Sequence, residues 1–463
     1  YLNEALKICV DHISGIRNDP IMPQISYEEL SAIIPNDPPF EGKEIQEVIN
    51  DVRDTILPYA TKIGHPRFLA WIITSPSPAG TIGEMINTGL NQVPALFKGG
   101  KASTILEETV TRWFGNLFGY DENHGGILVS GGTMANLTAM AAAREAKYPG
   151  AMKTGIQNIE KPLTIYVSDQ SHISVDRSAG MLGIGADMVR KISTDDDYKM
   201  RLDLLEEAVF NDRSSGFEPF CVVAQAGAVN TGSIDPIDEL ADFCSKNGLW
   251  YHVDASYGGG AVLAENGKEL LKGIEKADSI ATDPHKWFFI PVEAGLTLVK
   301  NRKHLFNAFN CKASYLGEET AVDYKDYGFQ LTRASRALKI WFSFRVYGLK
   351  RLGEIVNRNI YLAQKLHSML DKEECWEVLA PTELSIVCFR YIPGNDIDEE
   401  SLNSLQYEIL SEVEKSGKAF ITPAILRGKT ALRICFANHR TTSEDVDILY
   451  KIILDIGEKL SNR

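Results

Sequence analysis

Residues 125–140 read "GGILVSGGTMANLTAM". Ile127, Leu128 and Val129 make a short apolar run that ends at Ser130. Gly131 and Gly132 turn the chain, and from Thr133 an Ala-rich, helix-forming stretch begins. A buried strand followed at once by a helix is the repeating unit of a layered α/β protein. The unit recurs outward from this point. Further strand candidates are "LTIYVS" (163–168), "FCVVAQA" (220–226), "LWYHVDA" (249–255), "DSIAT" (278–282) and "GLTLVK" (295–300). Helix-period stretches such as "PIDELADFCSKNG" stand between several of them, and that one closes on Gly248, a suitable left-handed C-terminal stop. Strands apolar on both sides need cover on both faces, so a mainly parallel sheet is predicted within residues 65–310.

The flanks read differently. Residues 1–64 predict a helical arm with a Pro-rich interruption, and Ser26 with Glu29 suits a helix cap. Residues 311–328, "CKASYLGEETAVDYKDYG", are polar and weakly patterned, as expected of a long functional loop. From 329 a long helical stretch leads to strand-like pieces, "LSIVCFRYI" and "TALRICFAN", and to a last helix from Ser443. The expected division is a helical N-terminal arm (1–64), a large domain (65–328) and a smaller α+β C-terminal domain (329–463).

The 463 residues carry a formal net charge of −14. That argues against a general nucleic-acid or anionic-membrane surface, which requires basic charge. Seven scattered cysteines form no C-x-x-C pair, so free thiols in a reducing compartment are expected rather than disulfides or a metal site. No apolar run reaches the roughly 18 residues of a membrane span. The first residues pattern as an amphipathic helix rather than a secretory leader, and a cytoplasmic protein is expected.

Four features could carry chemistry. The glycine turn at 131–132 opens a helix, whose free N–H groups suit a phosphate, although such a turn also serves packing alone. Asp254 ends a strand in "LWYHVDASYGGG", where α/β sheets bind ligands, or where an Asp merely caps a turn. His172 follows a strand in "DQSHISVDRSAG". Lys286 stands in "SIATDPHKWFFIP", among aromatic and apolar neighbours that would desolvate its amine. Together they match one demand. Pyridoxal 5′-phosphate (PLP) takes a lysine as its Schiff-base partner, an anion at its ring nitrogen, a phosphate cradle and a flat cover for the ring.

"HVDASYGGG" and "DPHKW" resemble the signatures of the group II PLP-dependent amino acid decarboxylases. The Asp-to-Lys separation, 286 − 254 = 32 residues, is that family's spacing. "SDQSHISVDRSAG" resembles its histidine motif, and "LTRASRALKIWFSFRVYG" the stretch after its mobile loop. The similarity runs from about Pro66 to near the C-terminus. It implies PLP-dependent fold type I (aspartate aminotransferase-like) with a seven-stranded sheet, and a homodimer with active sites at the subunit interface.

Position by position, the resemblance implies that Lys286 holds PLP covalently, Asp254 faces the pyridinium nitrogen and His172 stacks on the ring. Gly132 and Thr133 would bind the phosphate, with Asp283 and His285 nearby; many relatives have Asn at position 283. Tyr315, 315 − 286 = 29 residues beyond the lysine, matches the loop tyrosine that favours decarboxylation over aldehyde formation. Arg333 matches an arginine near the active site. Ala228 and Val229 stand where relatives usually place threonine, which leaves Asn230 and Thr231 as local sources of a polar group.

The expected reaction is release of CO2 from an aromatic L-amino acid. Trp71, Ile73 and Thr74 supply an apolar pocket wall, and Phe97 lies in "QVPALFKGG", a segment that relatives place at the dimer interface. No Arg or Lys stands between Leu69 and Met85 to hold a side-chain carboxylate. The alternatives are an acidic substrate, which Lys98 would suit, and a PLP-dependent aldehyde synthase.

Overall fold

The strand read at 125–130 is β1 (Gly125–Val129) in the computed structural model, which describes residues 1–310, 322–394 and 397–462. Six more strands join it: β2 (Leu163–Ser168), β3 (Val189–Ile192), β4 (Glu218–Gln225), β5 (Trp250–Asp254), β6 (Ser279–Thr282) and β7 (Gly295–Val299). Their order across the sheet is β1-β7-β6-β5-β4-β2-β3. The predicted α/β architecture with a mainly parallel seven-stranded sheet is therefore present.

Two details differ from the strand-by-strand reading. β3, "VRKI", is four residues long and half-exposed in its middle, as befits an edge strand, so it has no apolar run to betray it. β7 runs antiparallel to both of its neighbours. A parallel return needs a crossover, usually helical, and residues 283–294 contain no helix.

The helix Gly132–Lys147 packs its alanines against the sheet; Ala135, Ala139, Ala142 and Ala143 have no exposed surface. Small side chains bring the helix backbone close to the strands. They continue into an apolar core of Ile165, Val167, Val223, Ala281 and Val299. The helix Ile237–Asn247 ends where predicted, with Gly248 in the left-handed region at φ 68°.

Contacts divide the chain into two compact units: Pro76–Ile360 with Ala380–Ser385, which holds this sheet, and Tyr1–Ser75 with Tyr361–Leu379 and Ile386–Arg463. The second unit has its own antiparallel sheet, ordered β10-β11-β9-β8, from β8 (Trp376–Val378), β9 (Ile386–Tyr391), β10 (Thr422–Leu426) and β11 (Lys429–Cys435). Its last helix, Ser443–Ser461, starts where read, with a capping box between Thr442 and Asp445. Buried Asp445 also pairs with Arg17 at 3.1 Å and Arg67 at 2.9 Å. Ser26 and Glu29 form the expected capping box. Among the described residues no helix is long and apolar enough to cross a membrane.

Candidate active site

β1, β2, β4, β5 and β6 all point the same way, so their C-terminal ends form one edge of the sheet. That edge is where ligands meet open α/β sheets. Ser168, Gln225, Asp254 and Thr282 end β2, β4, β5 and β6 there, all buried. Ser168 Oγ, Gln225 Nε2 and Thr282 Oγ1 have no hydrogen-bond partner within the described residues. A folded chain rarely leaves a row of buried polar atoms unserved, because each costs about 1–3 kcal/mol.

Lys286 stands on the helix-free connection between β6 and β7. Its Nζ lies 2.9 Å from Asp283 Oδ2, and its side chain is 23% exposed. Trp287, Phe288, Phe289 and Ile290 beyond it are all buried. The aromatic run noticed in the sequence is thus core, with Trp287 stacked on Tyr257 at 5.2 Å and its indole N–H donated to Asn359. It anchors the loop and leaves the amine facing a carboxylate.

Gly131 and Gly132 bring backbone close to this loop. A Cβ on Gly132 would lie 2.7 Å from Ser256 Oγ and 2.8 Å from Asp283 Oδ2, and one on Gly131 would lie 3.5 Å from His285 Cε1. Only glycine allows the approach at 132. The first-turn N–H groups of the helix Gly132–Lys147, that of exposed Thr133 among them, have no acceptor in their own helix. Ser256 Oγ and Asp283 Oδ1 are buried and have no hydrogen bond among the described residues, although His285 Nδ1 lies 3.9 Å from Asp283 Oδ1. His285 is held to the same loop by its backbone N–H, which donates to the Ala294 carbonyl at 3.2 Å.

Asp254 is buried, with Oδ1 accepting the Ser256 backbone N–H at 3.0 Å and Oδ2 accepting the Asn136 amide at 2.9 Å. Burial pushes its carboxyl up, but those hydrogen bonds, with His252 and Lys286 nearby, outweigh it and hold the pKa below the ordinary value. His172, exposed on one side, accepts the Ser174 backbone N–H at Nδ1 at 3.2 Å and meets the Ser174 hydroxyl there at 2.9 Å. Burial of its inner edge lowers its pKa; Asp254 works against this and Lys286 with it.

Thr231, one of the two local candidates for a polar group beside 228–229, is already committed. Ala228 is buried, and Thr231 spends its hydroxyl on Ser233 at 2.9 Å. Ser174 and Ser256 bring hydroxyls to this edge of the sheet instead. Neither they nor Asn136 stood out in the sequence. The one signal the sequence offered was a lone amide, Asn136, inside an Ala-rich helical stretch, and the structure buries it fully.

Arg333, expected near the active site, has a guanidinium 1% exposed, and its Nη2 lies 2.8 Å from Glu107 Oε2. Nη1 donates to the Leu128 carbonyl, and the Tyr324 ring sits 5.1 Å from the guanidinium carbon. Its charge is spent inside the unit, beneath β1. Phe97 is half-buried and its backbone N–H donates to Asp323. Trp71, Ile73 and Thr74 belong to the other unit. There the Trp71 ring packs on Phe420 at 5.3 Å, its carbonyl accepts from Arg433, Ile73 packs against the small cluster of Phe68 and Phe420, and Thr74 is buried. Tyr315 lies outside the described residues.

A strand-end carboxylate, an amine on a neighbouring loop, an exposed imidazole and a glycine cradle with orphaned hydroxyl and helix N–H groups fit PLP. The donor set matches a phosphate, and the buried carboxylate, held ionised, matches a protonated ring nitrogen. The arrangement defines a lysine-dependent PLP enzyme. The family model described as "Pyridoxal-dependent decarboxylase conserved domain" matches residues 28–392, and the chain belongs to that family of PLP-dependent carboxy-lyases. It is 32% identical to the aromatic-L-amino-acid decarboxylase of Bacillus atrophaeus, over 99% of this chain and 95% of that one. It is 31% identical to phenylacetaldehyde synthase of Arabidopsis thaliana, over 98% and 94% respectively. The crystal structure of Catharanthus roseus tryptophan decarboxylase in complex with L-tryptophan superposes with a TM-score of 0.90 at 25% identity, covering 99% of this chain and 97% of that one.

Proposed function

We propose that the protein decarboxylates an aromatic L-amino acid to the corresponding amine and CO2. The observation that carries this reading is the near full-length similarity to a decarboxylase of that substrate class. The absence of Arg and Lys between Leu69 and Met85 agrees with a substrate that has no second carboxylate.

PLP, when bound, supplies an electron sink for the pair left behind as CO2 departs. The protein's residues do the rest. Lys286 would hold the cofactor covalently, and Asp283, 2.9 Å from its amine here, is placed to pair with that group whenever it carries a proton. Asp254 stays ionised and keeps the ring nitrogen protonated. Gly132, Thr133 and Ser256 bind the phosphate, and His172 covers the ring. Tyr315 returns a proton to the substrate carbon. Phe97 contributes to the substrate wall.

The protein acts as a cytoplasmic homodimer. In support, the helix Leu2–Gly15 has no buried residue and carries exposed Leu2, Leu6 and Val10, an apolar face suited to a second subunit. A second reading, aldehyde formation, draws on the phenylacetaldehyde synthase relative, and Tyr315 speaks against it. Incubation of the PLP-loaded enzyme with single amino acids, scoring CO2, amine, aldehyde and peroxide, tests the proposal. Amine and CO2 in equal amounts from tryptophan, tyrosine or phenylalanine are expected. Turnover of glutamate alone, or aldehyde with peroxide as the main products, would overturn it.

A further inference from the structure

Beneath the Asp254 carboxylate lies a chain of hydrogen bonds that the reaction scheme above does not use. Asn136 is its centre and is fully buried. Its Nδ2 lies 2.9 Å from both Ser174 Oγ and Asp254 Oδ2, and its Oδ1 lies 2.9 Å from His252 Nε2. The amide has one possible orientation. An ionised Asp254 only accepts, so the NH2 group must face it, and the carbonyl must face His252.

The remaining protons follow in order. His252 must donate from Nε2, so its Nδ1 accepts from the Ser279 hydroxyl at 2.8 Å, although the Ser279 carbonyl also lies 3.2 Å away. Ser279 Oγ in turn accepts from the Trp250 indole N–H at 2.9 Å, and an indole can only donate. On the other side, Ser174 Oγ accepts from Asn136. Its own hydrogen is then directed at His172 Nδ1, which the Ser174 backbone N–H also approaches. Every donor from Trp250 to His172 points the same way, and such head-to-tail chains polarise one another.

The geometry points to Asn136 as a positioning residue that fixes His172 with its only ring proton on Nε2 and ties that choice to the ionised state of Asp254. This assignment rests on the roles given above to His172 and Asp254 in cofactor binding. Asn136 acts on the cofactor only through Asp254 and His172. Asn136→Leu keeps similar bulk and removes both donors and the acceptor. Asn136→Asp keeps the shape and sets a second carboxylate against Asp254.

The test is long-range 1H–15N correlation on histidine-labelled holoenzyme and on the same protein freed of PLP, with His172→Gln to assign the His172 signals. The wild type is expected to show one neutral tautomer, protonated at Nε2, in both states. Asn136→Leu is expected to show mixed tautomers and at least a tenfold weaker PLP affinity, with Asn136→Asp weaker still. Ser174→Ala, which removes a single hydroxyl, breaks the same chain with little loss of volume and should also release the tautomer. A His172 signal unchanged in Asn136→Leu and in Ser174→Ala overturns the assignment, as does a wild type protonated at Nδ1. Borohydride trapping of PLP on Lys286 in the wild type separates the two readings. If trapping fails, the cofactor scheme fails; if it succeeds while the tautomer ignores Asn136, only the positioning role fails.

Discussion

Replacing Arg333 with Met would leave Glu107 as a buried charge with one hydrogen bond, from the Leu128 backbone N–H at 2.9 Å. The ion pair has a 2.8 Å separation and side chains 1% and 0% exposed. At an effective dielectric of about 20, that separation corresponds to about 6 kcal/mol of attraction, much of it offset by the desolvation of both ions. Removing one partner keeps the desolvation and loses the attraction, so a loss of about 3–5 kcal/mol in unfolding free energy is expected. The double variant Glu107→Leu/Arg333→Met removes both charges and should recover most of it. Urea unfolding at one protein concentration and saturating PLP reads both effects as shifts of the midpoint. The double variant should also keep its KM for an aromatic substrate, because the guanidinium is committed to the interior. A cost below about 1 kcal/mol for Arg333→Met, or a large rise in KM with no change in the urea midpoint, would refute the buried post and return Arg333 to the substrate.

Other perturbations have equally direct readouts. Gly132→Ala sets a methyl 2.7 Å from Ser256 Oγ and 2.8 Å from Asp283 Oδ2, so PLP titration followed by absorbance should show at least a tenfold weaker affinity, roughly 1.4 kcal/mol or more. Lys286→Ala should abolish borohydride-stable incorporation of PLP, measured by intact mass; labelling that persists would remove Lys286 from its role. His252 is fully buried, and burial lowers its pKa from 6.5 to about 4. The folded state therefore binds fewer protons than the unfolded one between those values. The resulting stability is complete above about pH 6.5 and is lost as pH falls toward about 4. Asp235, pushed up to about 7 by burial, opposes this trend. His252→Asn should make the slope of urea midpoint against pH less positive than in the wild type across that window, and an unchanged slope would contradict a neutral buried imidazole.

The sheet was legible because six of its seven strands are apolar on both faces, and glycines or polar residues mark their ends. β3 escaped because an edge strand needs little hydrophobic surface, and β10 because it is five residues long with Pro423 inside it. At the site, Lys286, Asp254 and His172 could be read from unusual chemistry in unusual surroundings. Asn136, Ser174 and Ser256 could not, since a serine or asparagine becomes informative only when its burial and partners are known. The pairing of Arg333 with Glu107 was not legible for a related reason. A cation looks alike in sequence whether it faces a ligand or a carboxylate 226 residues away (333 − 107).

The reversal of β7 has a mechanical consequence. Because that strand returns antiparallel, its first residue, Gly295, arrives behind the glycine turn rather than at the far end of the sheet. A Cβ there would stand 2.6 Å from Gly131 Cα and 2.7 Å from its backbone N and C atoms. The turn is thus shaped from its apolar rear as well as from its polar front, like a die pressed against a mould. Gly295→Ala, which alters no polar group, should displace Gly131 and weaken PLP binding by sterics alone. An alanine variant with wild-type affinity by the same titration would show that the backing yields. The expected loss would make cofactor affinity answer to a position that no list of cofactor contacts would include.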